Sequence, residues 1–202
     1  MIRHIVFDIG RVLIEWDPER PYRKLIPDEA RRHWFLSEVC TSAWNKEQDR
    51  GRSWAEAERL LIERYPDEAA LIRAYRENWS EMVPGEIEGT RAIFDGLIAA
   101  GLDVTMLTNF APDTFAIAQS RFPVLTQSRG VTVSGAVELV KPDRAIYDLH
   151  ARTFGLDPAR TLFFDDTMEN VAGAEAAGWH ARHFIDAARM RTDLADLGVS
   201  LA

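Results

Sequence analysis

Cysteine is almost missing from this chain of 202 residues: Cys40 stands alone, which excludes an internal disulfide and any zinc cage built from several thiolates. A reducing compartment follows. No apolar run approaches the roughly 18 residues of a membrane helix, and the first strand pattern starts within a few residues of Met1, so the expectation is a soluble, cytoplasmic protein without a membrane partner. Positive charge is in deficit, with 24 Lys and Arg against 32 Asp and Glu and a net charge of −8, the wrong balance for a nucleic-acid surface. The basic clusters Arg20–Lys24 and Arg31-Arg32 have acids beside them and read as solvated faces. Histidines 4, 33, 150, 180 and 183 show no ligand spacing. Repeats and low-complexity segments are absent too. Apolar residues make up 47% of the chain, which excludes disorder and is ample for a sizeable core.

The most informative stretch is Ile5-Val6-Phe7-Asp8-Ile9-Gly10-Arg11-Val12. β-branched and aromatic residues ending in Asp-x-Gly read as a buried strand that delivers one carboxylate at the sheet's edge and then turns. Three later segments have the same form: Val104 to Asn109, Glu138 to Pro142, and Thr161 to Asp166. Between the first and second, from Asp17-Pro18 to about Val83, the pattern is helical throughout, with some four helices. One opens at Pro27-Asp28-Glu29, another at the capping-box pair Ser53 and Glu56, and a third runs from Asp67 towards Met82. Pro84-Gly85 ends that region.

Helix and strand then alternate. Helices are expected at Glu88–Ala100, Pro112–Arg121, Arg144–Phe154 and Glu169–Ala177, and strands at Val104–Leu107, Val131–Val133 and Leu162–Phe164, with a turn at Ser134-Gly135. The fold class is α/β, a doubly wound, mostly parallel, Rossmann-like sheet. Its core is discontinuous, residues 1–16 and 85–202, interrupted by an all-helical cap at 17–84. In such sheets chemistry gathers at the carboxyl ends of the strands, so the strand-end residues can meet in one site.

Singly these residues are weak signals, since an Asp or Thr-Asn after a strand is often a helix cap and a lone lysine is normally solvated. Together, and in this order, they resemble the haloacid dehalogenase-like hydrolase superfamily. Phe7-Asp8-Ile9-Gly10-Arg11-Val12 matches its first motif, Leu107-Thr108-Asn109 the second, Lys141-Pro142-Asp143 the third, and Phe163-Phe164-Asp165-Asp166-Thr167-Met168-Glu169-Asn170 the fourth. The helical insert between the first two matches the cap of the family's first subclass.

The resemblance implies a hydrolase, most simply a phosphatase of a small phosphorylated metabolite, acting as a monomer or homodimer. Asp8 is then the nucleophile, forming an aspartyl-phosphate that water hydrolyses. Mg²⁺ is the implied cofactor, with oxygen ligands from Asp8, the Gly10 carbonyl, and one or both of Asp165 and Asp166. Thr108 and Asn109 hold the phosphoryl group, Lys141 supplies fixed positive charge beside Asp8, and Asn170, four residues after Asp166, orients a metal-bound water.

One position departs from the pattern. Family phosphatases carry a second Asp two residues after the nucleophile, to protonate the leaving alcohol; here that position is Gly10. Halide leaves without a proton, so metal-independent 2-haloacid dehalogenation is an alternative, and a non-catalytic binding or regulatory protein is a third. The double acid Asp165-Asp166 speaks for a cation, because paired acids without one repel. An Asp-x-Gly-x-Val subgroup of the family includes sugar-phosphate phosphatases such as one for α-glucose 1-phosphate, whose leaving group needs less protonation. Glu15 and Asp17 are possible substitute acids. Four of the six tryptophans (Trp34, Trp44, Trp54, Trp79) belong to the insert, where packing is the stronger reading, and Arg50 reads as a surface ion pair or a substrate contact.

Overall fold

The computed structural model describes residues 1–202. Strand β1 (His4–Phe7) is followed by six short helices: α1 (Glu19–Leu25), α2 (Glu29–Trp34), α3 (Ser42–Asp49), α4 (Trp54–Arg64), α5 (Ala69–Glu77) and α6 (Trp79–Met82). The remainder runs α7 (Thr90–Ala99), β2 (Asp103–Thr108), α8 (Pro112–Arg121), β3 (Val131–Val133), α9 (Ser134–Val137), α10 (Arg144–Phe154), β4 (Thr161–Asp165), α11 (Met168–Ala176), β5 (His180–His183) and α12 (Ala187–Asp196). All five strands are parallel, in the order β3-β2-β1-β4-β5. Phe7 lies opposite both Met106 and Phe164, which puts β1 at the centre.

A central parallel strand is covered on both faces, so it reads as a continuous apolar run. Successive side chains then divide between two cores. Ile5, Phe7, Met106 and Phe164 pack against Ile93, Phe94, Met190 and Leu194 of α7 and α12. Val6, Leu107 and Phe163 point the other way, onto Ile146, Tyr147 and Val171 of α10 and α11 and onto Trp179.

The structure corrects several local expectations. The segment Glu138-Leu139-Val140 is not a strand: Glu138 has φ +56° and ends the single helical turn α9, which stands where a turn was expected at Ser134-Gly135. The sheet edge beside β2 is already taken by β3. The insert is broken more often than its periodicity suggests, with a π-helical turn at Phe35–Val39 and a stop at Asn78, whose amide donates back to the Ala74 carbonyl at 2.9 Å. Strand β5, His-Ala-Arg-His, and helix α12 had no expectation at all; β5 is a short edge strand whose polar residues carry no apolar signal.

Candidate active site

The site forms where the strands end. Asp8 follows β1 directly, and its backbone N–H donates to the Phe164 carbonyl at 2.9 Å, so the sheet ladder still fixes the residue that leaves the sheet. The chain then turns back on itself: the N–H groups of Val12, Leu13 and Ile14 all donate to the Ile9 carbonyl, and Arg11 adopts φ +57°. Asp165 is the last residue of β4, and Thr108 the last of β2. Lys141 comes from the loop between α9 and α10. That loop seats against α11 because Gly173 has no side chain; a Cβ there would come within 2.7 Å of the Pro142 carbonyl oxygen.

Lys141 is the hub. Its Nζ lies 2.8 Å from Asp8 Oδ1 and 2.6 Å from Asp165 Oδ2, and all three side chains are almost wholly buried. Burial works against the ammonium, but Asp165 and Asp8 on either side outweigh it and hold the Lys141 pKa above the ordinary lysine value. Asp8 is pushed up to about 7, chiefly by burial, with Lys141 opposing and Asp165 reinforcing the rise.

Asp165 is fully occupied. Beyond Lys141, its oxygens accept from the Asn170 amide at 3.0 and 3.2 Å and from the Thr167 backbone N–H at 2.8 Å. Asn170, expected to orient a metal-bound water, sits by Asp165 and holds its carboxylate. Asp166 is half-buried, with only the Arg11 guanidinium as a charged partner at 3.8 Å. Burial and the neighbouring Asp165 raise its pKa. Ligand oxygens of Asp8, Asp165 and Asp166 all lie within 4.8 Å of one another. Three carboxylates against one buried ammonium leave an excess of negative charge. The donor set is all hard oxygen, without His or Cys, and a divalent cation of the Mg²⁺ type fits it.

Thr108 and Asn109 divide their expected task. Thr108 is 1% exposed and lines the cavity beside Asp8. The Asn109 amide instead clamps the Lys141 backbone, donating to its carbonyl at 3.0 Å and accepting from its N–H at 2.9 Å. Its side chain therefore anchors the loop that carries the lysine, while the residue still lines the cavity.

Of these residues, Asp8, Thr108, Asn109, Lys141, Asp166 and Asn170 line one cavity of ≈ 200 Å³ that the helical segment closes from the other side. Trp16, Trp54, Trp79 and Phe110 form an apolar wall, and Asp49 at the end of α3 completes the lining. For Trp54 and Trp79 packing was the stronger expectation, and for Asp49 there was none. The sequence had singled out the next residue, Arg50, which points away to pair with Glu47 at 3.6 Å and Asp143 at 4.0 Å. Glu15 and Asp17 are not part of the cavity; Asp17 caps Glu19 and pairs with Arg23.

A strand-end carboxylate paired with a buried lysine thus stands beside a second and third carboxylate at the carboxyl edge of a parallel sheet, where open α/β folds place their sites. A family model for haloacid dehalogenase-like hydrolases matches residues 2–178, and the chain belongs to that family. Among its relatives is a sesquiterpene phosphatase, astK of Aspergillus oryzae, 26% identical over 198 residues, covering 90% of this chain and 89% of the relative. The fold resembles that of a haloacid dehalogenase-family enzyme from Bacteroides thetaiotaomicron solved with magnesium and inorganic phosphate, with a TM-score of 0.71 at 21% identity and coverage of 92% and 96%. It also resembles L-2-haloacid dehalogenase from Xanthobacter autotrophicus, with a TM-score of 0.66 at 18% identity and coverage of 97% and 83%.

Proposed function

We propose that the protein is a Mg²⁺-dependent phosphatase of a small phosphorylated metabolite, with Asp8 as nucleophile. The observation that carries this reading is the convergence of Asp8, Asp165 and Asp166, with ligand oxygens within 4.8 Å of one another and Lys141 pinned between the first two. A phosphate monoester is a dianion, and a carboxylate cannot approach it until positive charge is supplied. Lys141 supplies one fixed charge. A Mg²⁺ ion would be held by oxygens of Asp8, the Gly10 carbonyl and one or both of Asp165 and Asp166, and would supply the remaining positive charge for the phosphoryl oxygens.

The chain's own residues do the remaining work. Thr108 donates its hydroxyl to a phosphoryl oxygen, while Asn109 fixes the Lys141 loop and Asn170 fixes Asp165. Asp8 Oδ attacks phosphorus, the ester P–O bond breaks, and water later hydrolyses the aspartyl-phosphate. The helical segment 17–84 acts as a cap over the discontinuous core 1–16 and 85–202, and its residues meet the leaving group. Trp16, Trp54, Trp79 and Phe110 favour a leaving group with an extended apolar or CH-rich face. The sesquiterpene phosphatase relative supports the first kind; a sugar phosphate has the second.

Phosphate release from an aryl phosphate with Mg²⁺, abolished by EDTA and by Asp8→Asn, is the expected result. Halide release from a 2-haloacid in the presence of EDTA would instead establish dehalogenation, a chemistry the Gly10 position permits but the three converging carboxylates do not favour. Binding of phosphate without turnover of a broad phosphoester panel would establish a regulatory protein.

A further inference from the structure

Gly10 leaves the reaction without the acid that family phosphatases place two residues after the nucleophile, and neither nearby loop acid reaches the cavity. Besides Asp8 and Asp166, two carboxyls do, Asp49 and Glu169, and Glu169 is exposed in the first turn of α11. Asp49 ends α3 and lines the same cavity as Asp8, Thr108 and Lys141, on the side formed by the helical segment.

The core holds this residue firmly. The Ser134 hydroxyl donates to the Asp49 carbonyl at 2.6 Å and accepts from the Phe110 N–H at 2.9 Å, tying the end of α3 to the loops after β2 and β3. The approach is as close as backbones permit: a Cβ on Gly135 would lie 2.7 Å from Pro112 Cδ, 3.0 Å from the Phe110 carbonyl and 3.3 Å from the Gln48 carbonyl. The Asp49 carboxyl makes no ion pair, although Arg50 beside it does. A positioned carboxyl without an ion pair, lining the same cavity as the nucleophile, has the arrangement of a proton donor.

We propose that Asp49 is the general acid of this enzyme, a catalytic residue delivered by the cap instead of by the loop after β1; this rests on the phosphatase reading above. As Asp8 Oδ bonds to phosphorus and the ester P–O bond breaks, the bonding pair stays on the alcohol oxygen and takes the proton of Asp49. The alcohol departs neutral and Asp49 is left as a carboxylate. That carboxylate then removes the proton of the water that attacks the aspartyl-phosphate, releasing inorganic phosphate and restoring the acid. The charged groups around Asp49 are Lys46 on its own helix and Lys141 from the core, with the Tyr75 phenol of α5 also facing it. Burial outweighs the lysines and the Ala111 amide and pushes Asp49 up to about 7, so a protonated fraction persists near neutral pH.

The test compares leaving groups in the Mg²⁺-loaded full chain, because an acid matters for an alkyl ester and hardly at all for p-nitrophenyl phosphate. In Asp49→Asn, the ratio of kcat/KM for an alkyl phosphate to that for p-nitrophenyl phosphate should fall by about 10²-fold or more, within the 10²–10⁴ typical of a general acid. In the unmodified enzyme, kcat/KM for the alkyl ester should decline above neutral pH while the aryl ester lacks that limb; this arm needs no variant and stands even if Asp49→Asn fails to fold. Equal losses on both esters, or matching pH profiles, would overturn the role of Asp49 while leaving the phosphatase standing. Absence of any aryl phosphatase activity in the unmodified enzyme would overturn both.

Discussion

The side chain of Asn109 is bonded twice to the backbone of Lys141, giving a hydrogen bond of 3.0 Å to its carbonyl and receiving one of 2.9 Å from its N–H. The two residues lie 32 positions apart in the chain, and the pair of bonds fixes the loop that carries the lysine. Asn109→Ala removes both. With the ammonium displaced by even ~1 Å, turnover should fall on the order of 10²-fold. The accompanying loss of stability should be about 1 kcal/mol per bond. Steady-state kinetics and thermal melts check both; a variant with full kcat would show that the loop holds its place without the clamp.

Asp8 should cost the metal-free protein stability. Its pKa in the folded state, about 7, lies above its ordinary value, so the folded protein binds the proton more tightly than the unfolded chain does. Stability in EDTA is then greatest below about pH 4 on this group's account and is lost as pH rises through 7. Asp8→Asn keeps the shape and removes the charge, so at pH 8 in EDTA its melting temperature should exceed that of the unmodified protein by a few degrees, while its turnover is abolished. Addition of Mg²⁺ should raise the melting temperature of the unmodified protein more than that of the variant.

His150 sets an acid limit of the opposite sign. Its ring is buried between the hydroxyls of Thr105 at 3.0 Å and Thr132 at 2.8 Å, and burial lowers its pKa to about 3. The unfolded chain binds a proton near pH 6.5 that the folded one refuses, so stability is full above that pH and is lost as pH falls towards 3. The slope approaches about 1.4 kcal/mol per pH unit for one proton. His150→Asn should be less stable than the unmodified protein at pH 7 but show a flatter loss between pH 6 and 4, followed by urea titration at each pH.

Gly10 has open space around it: a Cβ there meets nothing within 4 Å. Gly10→Asp should therefore fold with a change of about 0.5 kcal/mol or less. Placed in the Asp49→Asn background, it should recover alkyl-phosphate turnover by about tenfold or more, a part of what a positioned acid contributes. A folded double variant with no recovery would mean that a carboxyl at position 10 does not reach the leaving oxygen.

Much of the site was legible because its residues sit next to strands with strong apolar signals. Ile5-Val6-Phe7 and Leu162-Phe163-Phe164 mark central strands, and in a parallel sheet the residue after such a run must emerge at the carboxyl edge. Asp8, Thr108 and Asp165 followed from that, and Lys141 from the motif order, although the strand expected before it does not exist. The roles were harder to read than the positions. Asn109 and Asn170 carry amides suited to a ligand, and both spend them on a neighbouring site residue, a choice set by distances across 32 and 5 positions of chain. Asp49 left no trace, because a lone acid at the end of a polar helix has the pattern of any solvated residue.

The linear order of residues determined by itself that this is a parallel α/β sheet interrupted by helices, and which side chains stand at its edge, since periodicity and strand ends are local properties. Only the tertiary structure decided that Asp165 serves Lys141, that Trp16, Trp54, Trp79 and Phe110 share a wall, and that Asp49 lines the same cavity as Asp8. Such pairings depend on how the helical segment seats on the sheet. That seating is set by close backbone approach at Gly135 and by the Ser134 bridge, which join stretches 85 positions apart and leave no periodic pattern for the sequence to show.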